Sequence, residues 1–219
     1  MLPALHHPRR KTMATAPVRR RTQEERRAET RARIVRAAVS ELRTKGYTGF
    51  RVDKVAIAAK VSRGAQTHHF PTKESLVLAA LESLYDTSTA ISLKRAGSAH
   101  AGGDVLSALM EDAGRFYMSS HFTIALSMLN LGDHESELRR KVQAMSRKYR
   151  FPVEEAWQSA LVASGVAPDV AKIVMDLTFN VFRGLVIRRF LRKDGDYIRQ
   201  TLEHWSRTAR AILDGFVKP

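Results

Sequence analysis

Residues 55–74 read Val55-Ala56-Ile57-Ala58-Ala59-Lys60-Val61-Ser62-Arg63-Gly64-Ala65-Gln66-Thr67-His68-His69-Phe70-Pro71-Thr72-Lys73-Glu74. Two short helical segments and their punctuation lie in this stretch. The first, 52–59, carries Val52, Val55, Ala56 and Ala59 at helical spacing and breaks near Lys60-Val61. Ser62 is a good N-cap for the second, which runs to Phe70 and is stopped by Pro71. Thr72 then caps a further helix with Lys73-Glu74 in its first turn. Upstream, Thr22-Gln23-Glu24-Glu25 has the form of a capping box. The helix it opens carries Ile34, Ala38 and Leu42 on one face, with Val35 and Val39 beside them, and ends at Gly46.

From Lys73 onward the pattern predicts helices at 73–95, 104–119, 121–131, 134–163, 168–193 and 195–217. The breaks fall at Gly97, Gly102-Gly103, Gly132-Asp133, Gly165 to Pro168 and Asp194-Gly195. Pro152 is expected to kink or divide the 134–163 segment. No period-2 stretch enriched in β-branched residues occurs, so the fold class is all-α.

The chain has 219 residues, 44% of them hydrophobic and 27% charged, which suits a globular protein. It has no cysteine, which excludes disulfides, thiolate metal sites and cysteine nucleophiles. No apolar run is long enough to span a bilayer. The net charge of +15 is uneven: residues 1–80 hold 18 basic and 6 acidic side chains, and residues 81–219 hold 19 and 16. One end is built for a polyanion. Residues 1–21 have six basic residues, three prolines and no acid, and read as a disordered basic arm, with Met13 as an alternative start.

A long helix followed by two short ones joined by a tight turn is a helix-turn-helix arrangement. Such a unit lays its second short helix in the major groove of DNA while the first crosses the backbone. Here that helix opens with Ser62 and with small residues, Gly64 and Ala65, that allow close approach. Arg63 suits guanine and Gln66 suits adenine. Its N-terminal amides favour phosphate. Thr67 and His68 extend the polar face. Lys73 opposes the dipole at a helix start, which a phosphate partner would explain.

The ordered elements Ile34-Val35-Arg36-Ala37-Ala38, Gly46-Tyr47, Val55-Ala56, Ala59-Lys60-Val61-Ser62-Arg63-Gly64 and His69-Phe70-Pro71-Thr72-Lys73-Glu74-Ser75-Leu76 resemble the DNA-binding domain of TetR-family transcriptional regulators. The match covers about residues 25–80. The resemblance implies a homodimer in which each subunit carries an N-terminal three-helix reader (22–72) and a helical effector-binding and dimerisation domain (73–219). An effector would change the separation of the two readers and release a pseudo-palindromic operator. By the same resemblance His69 packs beside Phe70 or touches phosphate. Three departures stand out: Arg51 where the family has a small hydroxyl cap, Lys60 where it has a turn glycine, and Gln66-Thr67 where it has Leu-Tyr. Lys60 either strains the turn or adds a phosphate contact. The DNA-binding set is therefore Arg51, Lys60, Ser62, Arg63, Gly64, Ala65, Gln66, Thr67, His68, His69 and Lys73.

Helix 195–217 places Ile198, Leu202, Trp205, Ala209, Ile212 and Phe216 at alternating 4-3 spacing, the seam of a helix–helix interface. Helix 168–193 is apolar on one side through Ile173, Leu177, Val181, Gly184 and Leu191, and on another through Val174, Phe182 and Leu185. A helix apolar nearly all round is buried twice, either by its own domain and a second subunit or wholly within its own domain. The dimer is expected to use both helices. A polar line of Asp176, Asn180 and Arg183 either meets an effector or forms a structural network at the seam. Phe116, Phe122, Met128, Trp157 and Phe179 are either pocket lining or core, with Met110, Met118, Met128 and Met145 as adaptable neighbours.

No metal or cofactor is expected. His68 and His69 are adjacent and point about 100° apart on a helix. The run Asp133-His134-Glu135-Ser136-Glu137 reads as an acidic helix start rather than a metal or acid–base site. No nucleophile elbow, zincin motif or phosphate loop occurs, so an enzyme is not expected. The partners expected are double-stranded DNA, a second copy of the chain and a small apolar effector, in the cytoplasm and at the nucleoid when DNA-bound, with no membrane. A nucleoid-type or activating DNA binder without an effector is the alternative.

Overall fold

The computed structural model describes residues 22–99, 103–129, 137–192 and 194–216. These form nine helices and no strand among the described residues: α1 (Gln23–Gly49), α2 (Val52–Ala59), α3 (Arg63–His69), α4 (Lys73–Ala99), α5 (Val105–Tyr117), α6 (Ser120–Leu129), α7 (Glu137–Ala163), α8 (Pro168–Leu191) and α9 (Gly195–Phe216). The basic arm, the breaks at Gly102 and Gly132-Asp133, and the Asp133-His134-Glu135-Ser136 part of the acidic run lie outside the described residues.

Local chemistry sets the helix starts. Thr22 accepts from the Glu25 amide at 3.1 Å while Glu25 accepts from the Thr22 amide at 2.7 Å, a complete capping box. The Ser62 hydroxyl accepts from the Ala65 amide, and that of Thr72 from the Ser75 amide. Gly46, at φ +62, turns the chain out of the α1 helix near its end, a conformation an L side chain disfavours.

α1 buries Ile34, Val35, Ala38 and Leu42 against α2 and α4, joined by Val55, Ala59, Phe50 and Phe70. α4 runs on into the body and packs on α7. Around them lie Leu109, Tyr117, Val153, Trp157, Phe179 and Phe182. One buried charge anchors this region. Asp112, 4% exposed, accepts from the Ser92 hydroxyl and, at 3.1 Å, from the Trp157 indole, and pairs with Arg95 at 3.4 Å.

Of the two outcomes expected at Pro152, a kink or a division, α7 does not show division: it is one helix from Glu137 to Ala163. Tyr149, Arg150, Val153 and Trp157 on both sides of the proline are buried in the core, and their packing carries the helix through it. The α9 seam packs in part against its own chain. Ala209 is fully buried there, and Leu202, Trp205 and Ile212 pack against the same core. The Trp205 indole donates to the Thr178 hydroxyl of α8 at 2.9 Å. A 4-3 seam reports that a helix lies against it, not which subunit supplies that helix.

Candidate nucleic-acid interface and ligand cavity

α3 is a seven-residue helix whose two sides differ. Ser62, Arg63, Gly64, Thr67 and His68 are exposed, Ala65 and His69 are half-buried, and Gln66 and Phe70 face inward. The Thr67 hydroxyl donates to the Arg63 carbonyl at 2.9 Å. A Cβ placed on Gly64 would meet only the Ser62 Oγ, at 4.0 Å, so the chain's own packing does not require glycine there.

Gln66 is the correction within this set. It is 1% exposed, and its amide oxygen and nitrogen have no hydrogen-bond partner among the described residues. It cannot reach a base edge from that position. Gln66 and Phe70 are four residues apart and share the inner face.

The flanking residues frame the exposed side. Lys60 closes α2 in the left-handed region, φ 54 and ψ 49, the only non-glycine positive φ among the described residues. Arg51 does not cap α2 with its side chain; it forms a two-point pair with Asp53, at 3.1 and 3.2 Å. Lys73 Nζ stands 4.7 Å over the Tyr47 ring. Burial, and then the charges of His68, Arg27 and Arg31, lower the His69 pKa, so its imidazole is neutral at physiological pH. Arg31 stands 5.2 Å over the Phe70 ring. Arg27 and Arg31, one turn apart on α1, thus extend the cationic surface at the C-terminal end of α3. Their i,i+4 spacing was the signal in the sequence.

The second feature is a cavity of about 210 Å³, open on one side and lined by residues of α4 to α8. Phe116 and Phe122 line it with Tyr85, Tyr117, Leu126 and Leu129, and Arg183 stands at its edge, 3.4 Å from Glu154 and donating to Asn180 Oδ1 at 2.9 Å. The other expected lining residues are elsewhere. Met128 and Trp157 are fully buried, Phe179 is behind the wall, Asn180 is exposed, and Asp176 pairs with Lys172 on the surface at 2.6 Å. On α8 only Arg183 lines the cavity, which leaves Asp176, Phe179 and Asn180 off its wall, while Met128 of α6 and Trp157 of α7 are on the core sides of their helices.

Sequence reasoning missed Arg150. It is 7% exposed, lines the cavity, and has no hydrogen-bond partner among the described residues for Nε and Nη2. Its guanidinium carbon lies 4.0 Å from the Phe116 ring centre, 5.2 Å from Phe179 and 5.4 Å from Tyr117. The Tyr117 hydroxyl is also buried without a partner among the described residues. The signal was a cation three residues before Val153 and seven before Trp157, on the core face of a helix.

The outer side of α8 stays uncovered. Ile173, Leu177, Gly184, Ile187 and Leu191 are exposed and Val181 is half-buried, while Val174, Phe182 and Leu185 face the core.

Known proteins agree with this arrangement. A family model described as bacterial regulatory proteins of the tetR family matches residues 34–80. The HTH-type transcriptional regulator CymR of Pseudomonas putida is 42% identical over 176 residues, covering 80% of this chain and 87% of that protein. A TetR-family transcriptional regulator from Cytophaga hutchinsonii has the same fold, with a TM-score of 0.65 at 14% identity over 92% of this chain and all of that one. So does the multidrug binding protein EbrR complexed with imidazole, with a TM-score of 0.57 at 18% identity, covering 84% and 94%. Among the described residues no helix is long and apolar enough to cross a membrane. The sequence relatives are regulators rather than enzymes. The chain belongs to the tetR family of bacterial regulatory proteins and is a transcriptional regulator of that family.

Proposed function

We propose that the protein is a ligand-responsive repressor. A homodimer binds a pseudo-palindromic operator through residues 51–73 of each subunit, and a small molecule in the α4–α8 cavity releases it. The observation that carries this reading is the two-sided α3: a serine-capped helix with Arg63, Gly64, Thr67 and His68 on its open side, flanked by Lys60, Arg27 and Arg31. Gly64 supports close approach of backbone to phosphate, since nothing within the chain needs its missing Cβ. The basic arm adds phosphate contacts.

The uncovered apolar side of α8 supports an isologous dimer, with Gly184 allowing close helix approach. α6 supports coupling between cavity and reader. Its Phe122, Leu126 and Leu129 line the cavity, and its His121 lies 2.6 Å from Arg43 of α1. Burial and then Arg43 lower the His121 pKa, which keeps that imidazole a neutral partner. The division into a reader, 22–72, and an effector and dimerisation unit, 73–219, follows from these roles. The working compartment is the cytoplasm, at the nucleoid when bound to DNA.

The test is binding of purified protein to the DNA upstream of its own and neighbouring genes, across a salt series and against scrambled DNA. A site preferred by about a thousandfold or more is expected of a specific regulator. Arg63→Ala is expected to lose about 1–3 kcal/mol and relax preference at one position. Equal, salt-sensitive binding to every sequence would favour the nucleoid-type alternative instead.

A further inference from the structure

We infer that the cavity takes a small organic carboxylate, with the Arg150 guanidinium as its anion-binding group. The inference rests on the reading of this cavity as the effector site, and replaces the expectation of a purely apolar ligand.

A guanidinium carries five N–H donors and cannot shed its charge in a protein. Burial without acceptors is costly for such a group. At Arg150, Nε and Nη2 are closed off from solvent without a partner among the described residues. Contact with the Phe116, Tyr117 and Phe179 rings offsets part of that cost but satisfies none of the in-plane donors. The balance of charge in the wall points the same way. Arg147, Arg150 and Arg183 line the cavity against one carboxylate, Glu154, which already faces Arg183. A carboxylate is the planar two-point acceptor that a guanidinium fork fits.

The remaining wall defines the rest of the ligand. Phe116, Phe122, Leu126 and Leu129 are apolar, and Tyr85 is occupied by Ser146 at 2.9 Å. The Tyr117 hydroxyl is the other buried group without a partner. A volume of about 210 Å³ lies below the range of pockets for drug-sized molecules, so the body is small. Four larger clefts, of about 800, 530, 400 and 320 Å³, are lined by no such unpartnered buried group.

The experiment is calorimetric titration of the full-length protein, without DNA, using benzoate, phenylacetate and hexanoate and their uncharged amides. At least one acid is expected to bind ten or more times more tightly than its own amide. Arg150→Met is expected to remove that preference, and Arg150→Lys to restore part of it. Arg115→Gln, which removes an exposed cation that pairs with Glu111 outside the cavity, is expected to change it less than threefold. The inference is overturned if no acid binds, if amides bind as well as acids, or if Arg150→Met binds acids like the wild type. The acid–amide comparison in the wild type decides even if the Arg150 variants fail to fold. Titration with operator DNA present separates the two readings. An acid that binds without releasing DNA leaves the inference standing and removes the repressor mechanism. Release by the amides alone does the reverse.

Discussion

Gln66 in the reader and Arg150 in the body share one property and differ in another. Both are buried, and both hold polar atoms without partners among the described residues. Gln66 is neutral and faces the inside of a small helical unit. Arg150 is charged and faces a cavity. The contrast separates two meanings of an unsatisfied buried group. Where the group has no space in front of it, the cost is a local defect that the fold tolerates. Where space remains, the same cost is a binding energy held for a ligand.

Asp112 completes the comparison, because it is buried, charged and partnered. Asp112→Ala strands the Ser92 hydroxyl and the Trp157 indole N–H, and is expected to destabilise by about 3–5 kcal/mol. Urea unfolding measures this as a lower midpoint at an unchanged slope. A loss below 1 kcal/mol would mean that the network relaxes freely, and the distinction between partnered and orphaned groups would lose its force.

Removing an orphan should act in the opposite direction. Arg150→Met, without ligand, is expected to stabilise by about 2 kcal/mol. That corresponds to a rise in Tm of about 4–8 °C for a chain of this size. A fall in Tm would show that Arg150 is a structural cation held by its rings. Gln66→Leu is expected to gain about 1 kcal/mol while leaving operator affinity unchanged. A loss of DNA affinity with intact stability would put Gln66 back at the base edges.

The sequence carried the helix ends well, because caps are local. Thr22, Ser62 and Thr72 each bond an amide three residues on, and no distant contact is needed to place them. Faces were harder. A helix as short as α3 offers too few turns for a period, and Gln66 was assigned by its chemistry rather than by its spacing from Phe70. Along α7 the period was long enough, with Val142, Tyr149, Val153 and Trp157 on the core side, yet Arg150 was passed over because cations are expected outside. The cavity could not be read from lining residues alone. An aromatic residue in a core and one beside a void give the same pattern, so Phe116 and Trp157 looked equivalent until packing separated them. On α9 the apolar seam was legible, but period does not encode which chain lies opposite, and here its own chain covers at least Ala209.

Lys60 is the smallest case and tests whether a local cost can mark a function. Its left-handed conformation costs an L residue roughly 1–2 kcal/mol, and glycine would recover that less its own entropy loss of about 0.5–1. Lys60→Gly is therefore expected to gain at most about 1.5 kcal/mol. The lysine amide already makes the turn's bonds, to the Ala56 and Ile57 carbonyls, so the side chain adds nothing to the turn itself. If the side chain instead meets a phosphate, Lys60→Gly and Lys60→Asn should each lower the salt dependence of operator binding by about 0.9 in the log–log slope. Asparagine tolerates the left-handed region, so this pair separates backbone relief from loss of charge. A slope unchanged in both variants would leave Lys60 as strain without a DNA contact, a second defect of the kind Gln66 represents.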